Sequence, residues 1–413
     1  MTEPQATNDT LDTVPEIATT PTVPSEGAGA PSERPPAQDA HQTTATGKEG
    51  EAYFAASQWQ LMWWRFTQHR MAVAGSIVVI LLYFVAAFCE FLAPYDPNTF
   101  SAQHKLAPPQ LIRFVDTEGN FSLQPFVYEL QRERDPVTMA WIYSNNTEIK
   151  HPVKLFPRTS VYQFWGFYDT DVHLFGVKGE NATIFLLGAD ELGRDVLSRI
   201  IYGTRISMSI GLVGVIISLF LGIFLGGLSG YLGGWVDMII QRVIELLQSL
   251  PKIPLYMALA AAMPLEWSST RVYFMMVTIL SVIGWSGMAR VVRGRFLSLR
   301  QEDFVKAARL CGSGEVRIIF KHMVPSFMSH IIAATTLAIP AMILSETSLS
   351  FLGVGMRPPA VSWGVLLQEA QNIRSVAYSP WLLTPGLAVI ITVMAFNFMG
   401  DGLRDAADPY GNA

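Results

Sequence analysis

The sequence predicts an all-α polytopic membrane protein of six transmembrane helices, with an extracytoplasmic insertion of mixed or β content after the first. Three observations carry this prediction. Of the 413 residues, 50% are hydrophobic and only 15% charged, whereas soluble domains carry roughly 25% charged residues. Six apolar stretches are long enough to cross a hydrocarbon core of about 30 Å. Between the first and the second lies a long segment whose aromatic and β-branched residues alternate with polar ones at the period of a strand.

Taken in order, residues 1–58 are rich in Pro, Thr, Ala and Glu and nearly lack aromatics. Such a stretch cannot bury enough apolar surface to offset its ordering entropy, so a disordered tail is expected. It opens with neither a basic segment nor a short apolar core, so no secretory signal is expected and the tail is placed in the cytosol. Residues 59–93 combine an interfacial anchor, Trp59, Trp63 and Trp64, with the first span, Met71 to Ala93. Further spans are expected at Ile206–Leu228, Met238–Met263, Val272–Ala289, Phe327–Phe351 and Pro380–Met399. The third is interrupted by Gln241, Arg242, Glu245, Gln248 and Lys252, and Pro251 and Pro254 would bend it, so its first half is read as cytosolic or lining a wet interior. Gly214, Gly222, Gly226, Gly227 and Gly230 are spaced for close helix crossing, which favours a packing role.

Direction follows from the basic residues of short loops. Arg290, Arg293, Arg295, Arg300, Lys306, Arg309, Arg317 and Lys321 lie between the fourth and fifth spans. The loop after the third span offers only Arg271, and that after the fifth only Arg357 and Arg374. The Arg-rich segment is therefore cytosolic, Arg65 and Arg70 before the first span agree, and both termini share that side. Residues 94–186 then fall outside. FVYEL, MAWIYS, VYQFWGFYDTD and VHLFGV within them read as short strands between Pro and Gly turns. Trp141, Tyr143, Tyr162, Phe164, Trp165, Phe167 and Tyr168 concentrate there as anchors for an outer protein partner or as the core of the insertion itself.

Residues 298–325 hold the most informative pattern. Ser298 followed by Gln301 is a capping box, with Glu302 and Asp303 in the first turn, so a helix is expected to start there. Phe304, Ala307, Ala308 and Cys311 recur at helical spacing as one apolar face beside Lys306 and Arg309. Gly312 supplies a helix stop, Ser313 a second cap, and Val316, Ile319, Phe320 and Met323 a second apolar face before Pro325. Two short amphipathic helices on the cytosolic surface suit either a partner's acidic groove or the lipid headgroups.

Lys306-Ala307-Ala308, Gly312 after three further residues, then His322 and Pro325 resemble the cytoplasmic EAA loop of ABC importer permeases. LGADELGRDVLSRIIYGTRISMSIGL at 187–212, SETSLSFLGVGMRPPAVSWG at 345–364 and FNFMGDGLRDAADP at 396–409 are similar to the C-type permease of dipeptide, oligopeptide and nickel importers. The resemblance implies a type I importer permease domain over residues 187–409, leaving a short tail at 410–413. It also implies an inner-membrane subunit that pairs with a second permease, with two cytosolic ATPases below and an extracytoplasmic binding protein above. Peptides are the implied cargo, with nickel chelates or another peptide-like solute as the alternative. ATP and Mg belong, on this resemblance, to the ATPases. Phe304, Lys306, Ala307, Ala308, Gly312, Val316, Ile319, Phe320, His322 and Pro325 become the ATPase-coupling residues, and Trp141, Tyr162, Trp165 and Tyr168 the candidates for docking the binding protein. Lys306 departs from the family's Glu, which implies either an acidic counterpart on the ATPase or a tolerant rim position.

Other chemistries are weaker. GADELGRD at 188–195 superficially matches a phosphate loop, but Arg194 and Asp195 replace the Lys and hydroxyl that would contact phosphate and Mg²⁺. Those two residues instead suit pairing, orientation of the chain or interface anchoring. GWSG at 284–287 with His330 could form an intramembrane serine protease dyad through Ser286, although other signals of such an enzyme are missing. A secondary transporter would need intramembrane carboxylates, for which Glu245 and Glu346 are the candidates. Cys89 and Cys311 form no disulfide framework or metal cluster, and the net charge of −5 argues against a nucleic-acid partner.

Overall fold

A computed structural model describes residues 57–134, 136, 141–177, 179 and 182–407; of the expected tail 1–58, residues 1–56 lie outside the described residues, as do 410–413, while Ser57 and Gln58 are the cap and first residue of a helix. Helix α1 (Gln58–Gln68) carries the predicted tryptophans, with Ser57 and Gln60 closing a capping box. It is followed by α2 (Arg70–Ala87) and the short α3 (Cys89–Leu92). After the strands come α4 (Val196–Leu232), α5 (Gly234–Ser249), α6 (Lys252–Ala261) and α7 (Ser269–Leu299). Helix α8 (Asp303–Leu310) and a broken helical segment lead to α9 (Met328–Phe351), α10 (Trp363–Glu369) and α11 (Thr384–Ala407). Among the described residues five helices, α2, α4, α7, α9 and the stretch Pro380–Ala407 that contains α11, are long and apolar enough to cross a membrane.

The predicted third span is not one helix. It divides into α5 and α6 at Leu250 and Pro251, and Pro251 and Pro254 occupy the cap and first turn of α6, where a missing N–H breaks no ladder. Packing explains why the chain still returns through this pair. Ser218 Oγ donates to Ser281 O at 3.1 Å, and a Cβ on Gly226 would lie 2.4 Å from Ala289 O, so α4 and α7 run parallel in close contact. A parallel pair requires an intervening return, which α5 and α6 supply. Helix α9 runs antiparallel to α4, with Ile343 against Gly211 and Met342 against Gly214. Helix α11 runs antiparallel to α2, with Gly402 against Ala72. The ends of α4, α7 and α11 and the starts of α2 and α9 therefore share one end of the bundle, the arginine-rich end.

The opposite end carries strands β1 (Arg113–Val115), β2 (Phe121–Arg134), β3 (Trp141–Leu155), β4 (Arg158–Phe164), β5 (Tyr168–Val172) and β6 (Phe175–Val177). All pairings are antiparallel, in a four-stranded sheet β1-β2-β3-β6 and a separate hairpin β4-β5. The module is fastened directly to the bundle. Leu174 N donates to Phe91 O at 2.8 Å, Tyr95 N to Ser198 Oγ at 3.1 Å, and Ala189 N to Ala107 O at 2.8 Å. Buried Gln110 joins Phe185 N to Tyr128 O, satisfying two backbone groups that would otherwise be buried unpaired.

Candidate functional site

At the arginine-rich end, α8 is held by its inward residues Val305 and Ala308, which join Tyr231, Val292, Phe296, Ile318, Ile319, Met323 and Ile331 in one apolar cluster. Gly312 ends it at φ +75°. Ser313 N donates to Ala308 O at 3.1 Å and Gly312 N to Arg309 O at 2.9 Å, the two bonds of a Schellman stop, which satisfies the last carbonyls of the helix. Beyond the turn, a single α-helical turn at Glu315–Arg317 widens into a π-helical turn over Ile318–Met323 and closes at Val324–Ser326. That register aims Ile318, Ile319 and Met323 into the cluster and leaves Val316 and Phe320 outside.

The outward side combines apolar surface with cations. Leu310 is 90% exposed, and Phe304, Ala307, Cys311, Val316 and Phe320 are also exposed. Gly314, Glu315, Val316, Arg317, Phe320, Lys321 and Pro325 line a shallow groove on this side. Arg309 lies over the Tyr231 ring, 4.7 Å from its centroid, and donates to the Tyr231 hydroxyl at 2.9 Å, tying α8 to the end of α4. Asp237 accepts from Arg293 at 2.5 and 2.6 Å and from Ser229 Oγ at 2.5 Å, which clamps α4, α5 and α7 together beside the segment. The platform under the exposed residues is thus fixed. Such an arrangement can transmit a push on α8 to three helices at once.

Several expectations need correction. Ser298 lies inside α7 and caps nothing; Glu302 is the N-cap of α8, without a side-chain bond, because α7 continues one residue past the predicted start. Gly314, not Ser313, is the second N-cap. Phe304, Ala307 and Cys311 do not share a buried face with Ala308: the inward pair is Val305 and Ala308. Likewise Ile319 faces inward, while Val316, Phe320 and Pro325 face outward and His322 is half-buried. Lys306 Nζ pairs with Asp303 on its own helix at 3.2 Å, with both side chains largely exposed. Ser286 is buried and its hydroxyl donates to Ile283 O at 3.2 Å; no hydrogen bond joins it to His330 among the described residues, so no dyad is assembled there. Glu245 is exposed and pairs with Arg242, whereas Glu346 is fully buried among Ser207, Thr347 and Ser350.

The strand end holds an ion network that sequence reasoning missed. Asp190 accepts from Leu192 N and Arg194 N, both at 2.9 Å, and from the Arg194 and Arg199 guanidiniums. Glu369 accepts from the same two arginines. The carboxylate of Asp190 therefore takes the Leu192 and Arg194 backbone N–H groups of this loop. Arg194 does not pair with Asp195, which instead caps α4 by accepting from Ser198 N at 2.8 Å and Ser198 Oγ at 2.6 Å. The signal in the sequence was the run of charges immediately before a long apolar helix. Among the aromatics, the side chain of Trp141 lies outside the described residues. Tyr143 donates to Lys105 O at 2.6 Å and Tyr162 to Val172 O at 2.8 Å, so both serve the module's own structure. Trp165, Phe167 and Tyr168 are exposed at the β4-β5 turn.

Residues 188–410 match the family described as "Binding-protein-dependent transport system inner membrane component". Residues 57–109 match "N-terminal TM domain of oligopeptide transport permease C", so strands β1 to β6 fall between the two matches. The di/tripeptide transport system permease protein DppC of Pseudomonas aeruginosa is 30% identical over 348 residues, 84% of this chain and 90% of that one. The oligopeptide transport system permease protein OppC of Salmonella typhimurium is 39% identical over 244 residues, 59% of this chain and 78% of that one. The glutathione transport system permease protein GsiD of Pectobacterium atrosepticum is 31% identical over 351 residues, 85% of this chain and 91% of that one.

Proposed function

The chain belongs to the family of binding-protein-dependent transport system inner membrane components, and from that premise we propose that it is one permease half of an ATP-driven importer of peptides. Its relatives carry di/tripeptide, oligopeptide and glutathione permease names, which supports a peptide-class cargo. The arginine-rich end faces the cytosol, as the rule for basic loop residues requires, and the strand module faces outward. A second permease completes the pore, a binding protein delivers cargo at the strand end, and two ATPase subunits, which use the ATP and Mg, dock on α8 and the turn after it.

The observation that carries this reading is the exposed apolar and basic side of α8 and the following turn, on a platform clamped to α4, α5 and α7. Hydrophobic residues that a folded chain leaves outside, ringed by cations, suit a partner with an apolar groove and an acidic rim. Gly312→Val tests it. A β-branched residue disfavours positive φ, so the stop after α8 should distort while the spans are untouched. In the assembled complex in lipid nanodiscs, the variant is expected to retain its subunits and lose ATP hydrolysis stimulated by binding protein and cargo. Undiminished stimulation would refute the coupling role.

A further inference from the structure

One exposed apolar patch is not used by the transport reading. Ile77, Ile80, Leu81, Phe84 and Phe88 form a single exposed stripe along α2 and just past its end, with the spacing of one helix face. On a membrane span a stripe of large residues with no Gly, Ala or Ser in it suits lipid rather than a close helix crossing. The stripe does not stop where the helix stops. The Phe84 and Phe88 rings lie 4.7 Å apart, and Phe88 lies 6.0 Å from Phe164 in the β4-β5 hairpin. Trp165, at the tip of that hairpin, donates its indole N–H to Ala87 O at 2.6 Å.

The tip is held firmly at that level. Trp165 adopts φ +54°, a costly conformation for a bulky residue, and the bond to Ala87 O is what its indole gains there. Arg205 donates to Ala86 O at 2.9 Å and Ala87 O at 3.2 Å and pairs with Glu90 at 2.5 and 2.6 Å, so the helix end itself is capped and fixed. The root of the hairpin is pinned by His173, whose Nδ1 lies 2.7 Å from Ala93 O and whose ring lies 4.7 Å from that of Tyr162. From Val161 to Tyr168 the hairpin carries no charged residue, and Trp165, Phe167 and Tyr168 are 57%, 83% and 75% exposed.

We propose that the β4-β5 tip is a membrane-interface anchor that seats the strand module on the phospholipid of the leaflet at the strand end. The occupant of this surface is the headgroup layer and the first acyl carbons, because the patch continues the lipid-facing stripe of α2 without a break. Tryptophan and tyrosine favour that level, where the rings meet acyl carbons and the N–H or O–H still finds a partner, Ala87 O in the case of Trp165. A structure fixed beside the last turn of a span lies within one helical pitch, ~5 Å, of the end of that span. The anchor would hold the module in one orientation over the pore, whichever cargo passes.

The test places an environment-sensitive fluorophore at Phe167→Cys in the full complex, in nanodiscs whose phospholipids carry a nitroxide in the headgroup or on the first acyl carbons. Cys311 is replaced by Ser in every chain and Cys89 is buried, so the chain without an added cysteine supplies the background, and Glu118→Cys in the polar β1-β2 turn is the reference site. Quenching at position 167 is expected to exceed that at 118 several-fold and to be unchanged by added binding protein. Quenching no greater than at 118 would overturn the proposal, and so would an emission change seen only when binding protein is added, which would make the tip a protein-docking surface. Tyr168→Cys, read in the same way, decides the matter if a label at 167 disturbs assembly.

Discussion

Gly312 holds φ +75° where nothing lies within 4 Å of a built Cβ, so a substitution there reports on the backbone alone. That separates two kinds of side chain. Asparagine visits the left-handed region readily and should keep the stop after α8, whereas most L-residues lose about 1–2 kcal/mol there. Gly312→Asn is therefore expected to retain most of the stimulated ATP hydrolysis that Gly312→Val loses; equal loss in both would mean that the position fails for a reason other than φ. Lys306 is a different case. Its bond to Asp303 is an exposed pair, worth about 0–1 kcal/mol, so its place in the motif reflects what it presents outward rather than what it stabilises.

Between elements, the Glu90–Arg205 pair at the strand end joins α3 and the end of α2 to α4. Burial alone would push the Glu90 carboxyl up, but the hydrogen bonds and charge of Arg205 outweigh it and hold the group below its ordinary 4.5. A carboxyl with a depressed folded value stabilises fully above 4.5 and loses that contribution as pH falls through the folded value. Arg205→Ala is expected to cost ~2 kcal/mol, below the full range for a buried pair because Arg205 is 36% exposed. Thermal unfolding in detergent against pH checks both parts: the variant should melt lower near neutrality, and its deficit should shrink on acidification. The sequence showed Glu90 and Arg205 only as two charges at the edges of apolar runs, 115 positions apart. Nothing in spacing could join them. The same limit hid Glu369, 170 positions from Arg199, from the neighbouring Asp190, Arg194 and Arg199. The faces of α8 were misread for another reason: it is apolar on two sides, one for the core through Val305 and Ala308 and one outside through Phe304, Ala307 and Leu310, and periodicity does not say which is which.

At the scale of the molecule, what was legible came from length and sign. The long apolar runs gave the five continuous helices, alternation gave the strands, and Pro251 gave warning that the remaining run would break. The excess of arginines at one end is what the proposed direction rests on. The account that joins these features is a bundle whose arginine-rich end presents a built surface to a motor, through residues that the fold leaves exposed rather than buried. An amphipathic pair resting on headgroups would present the same composition, so composition cannot decide between them. Leu310 can, because it is 90% exposed at the end of α8. A photoreactive amino acid in place of Leu310, activated in native membranes containing the assembled importer, is predicted to yield a covalent adduct with an ATPase subunit whose amount changes when ATP is bound. Adducts with lipid alone, in membranes where the ATPase is present and assembled, would contradict the account.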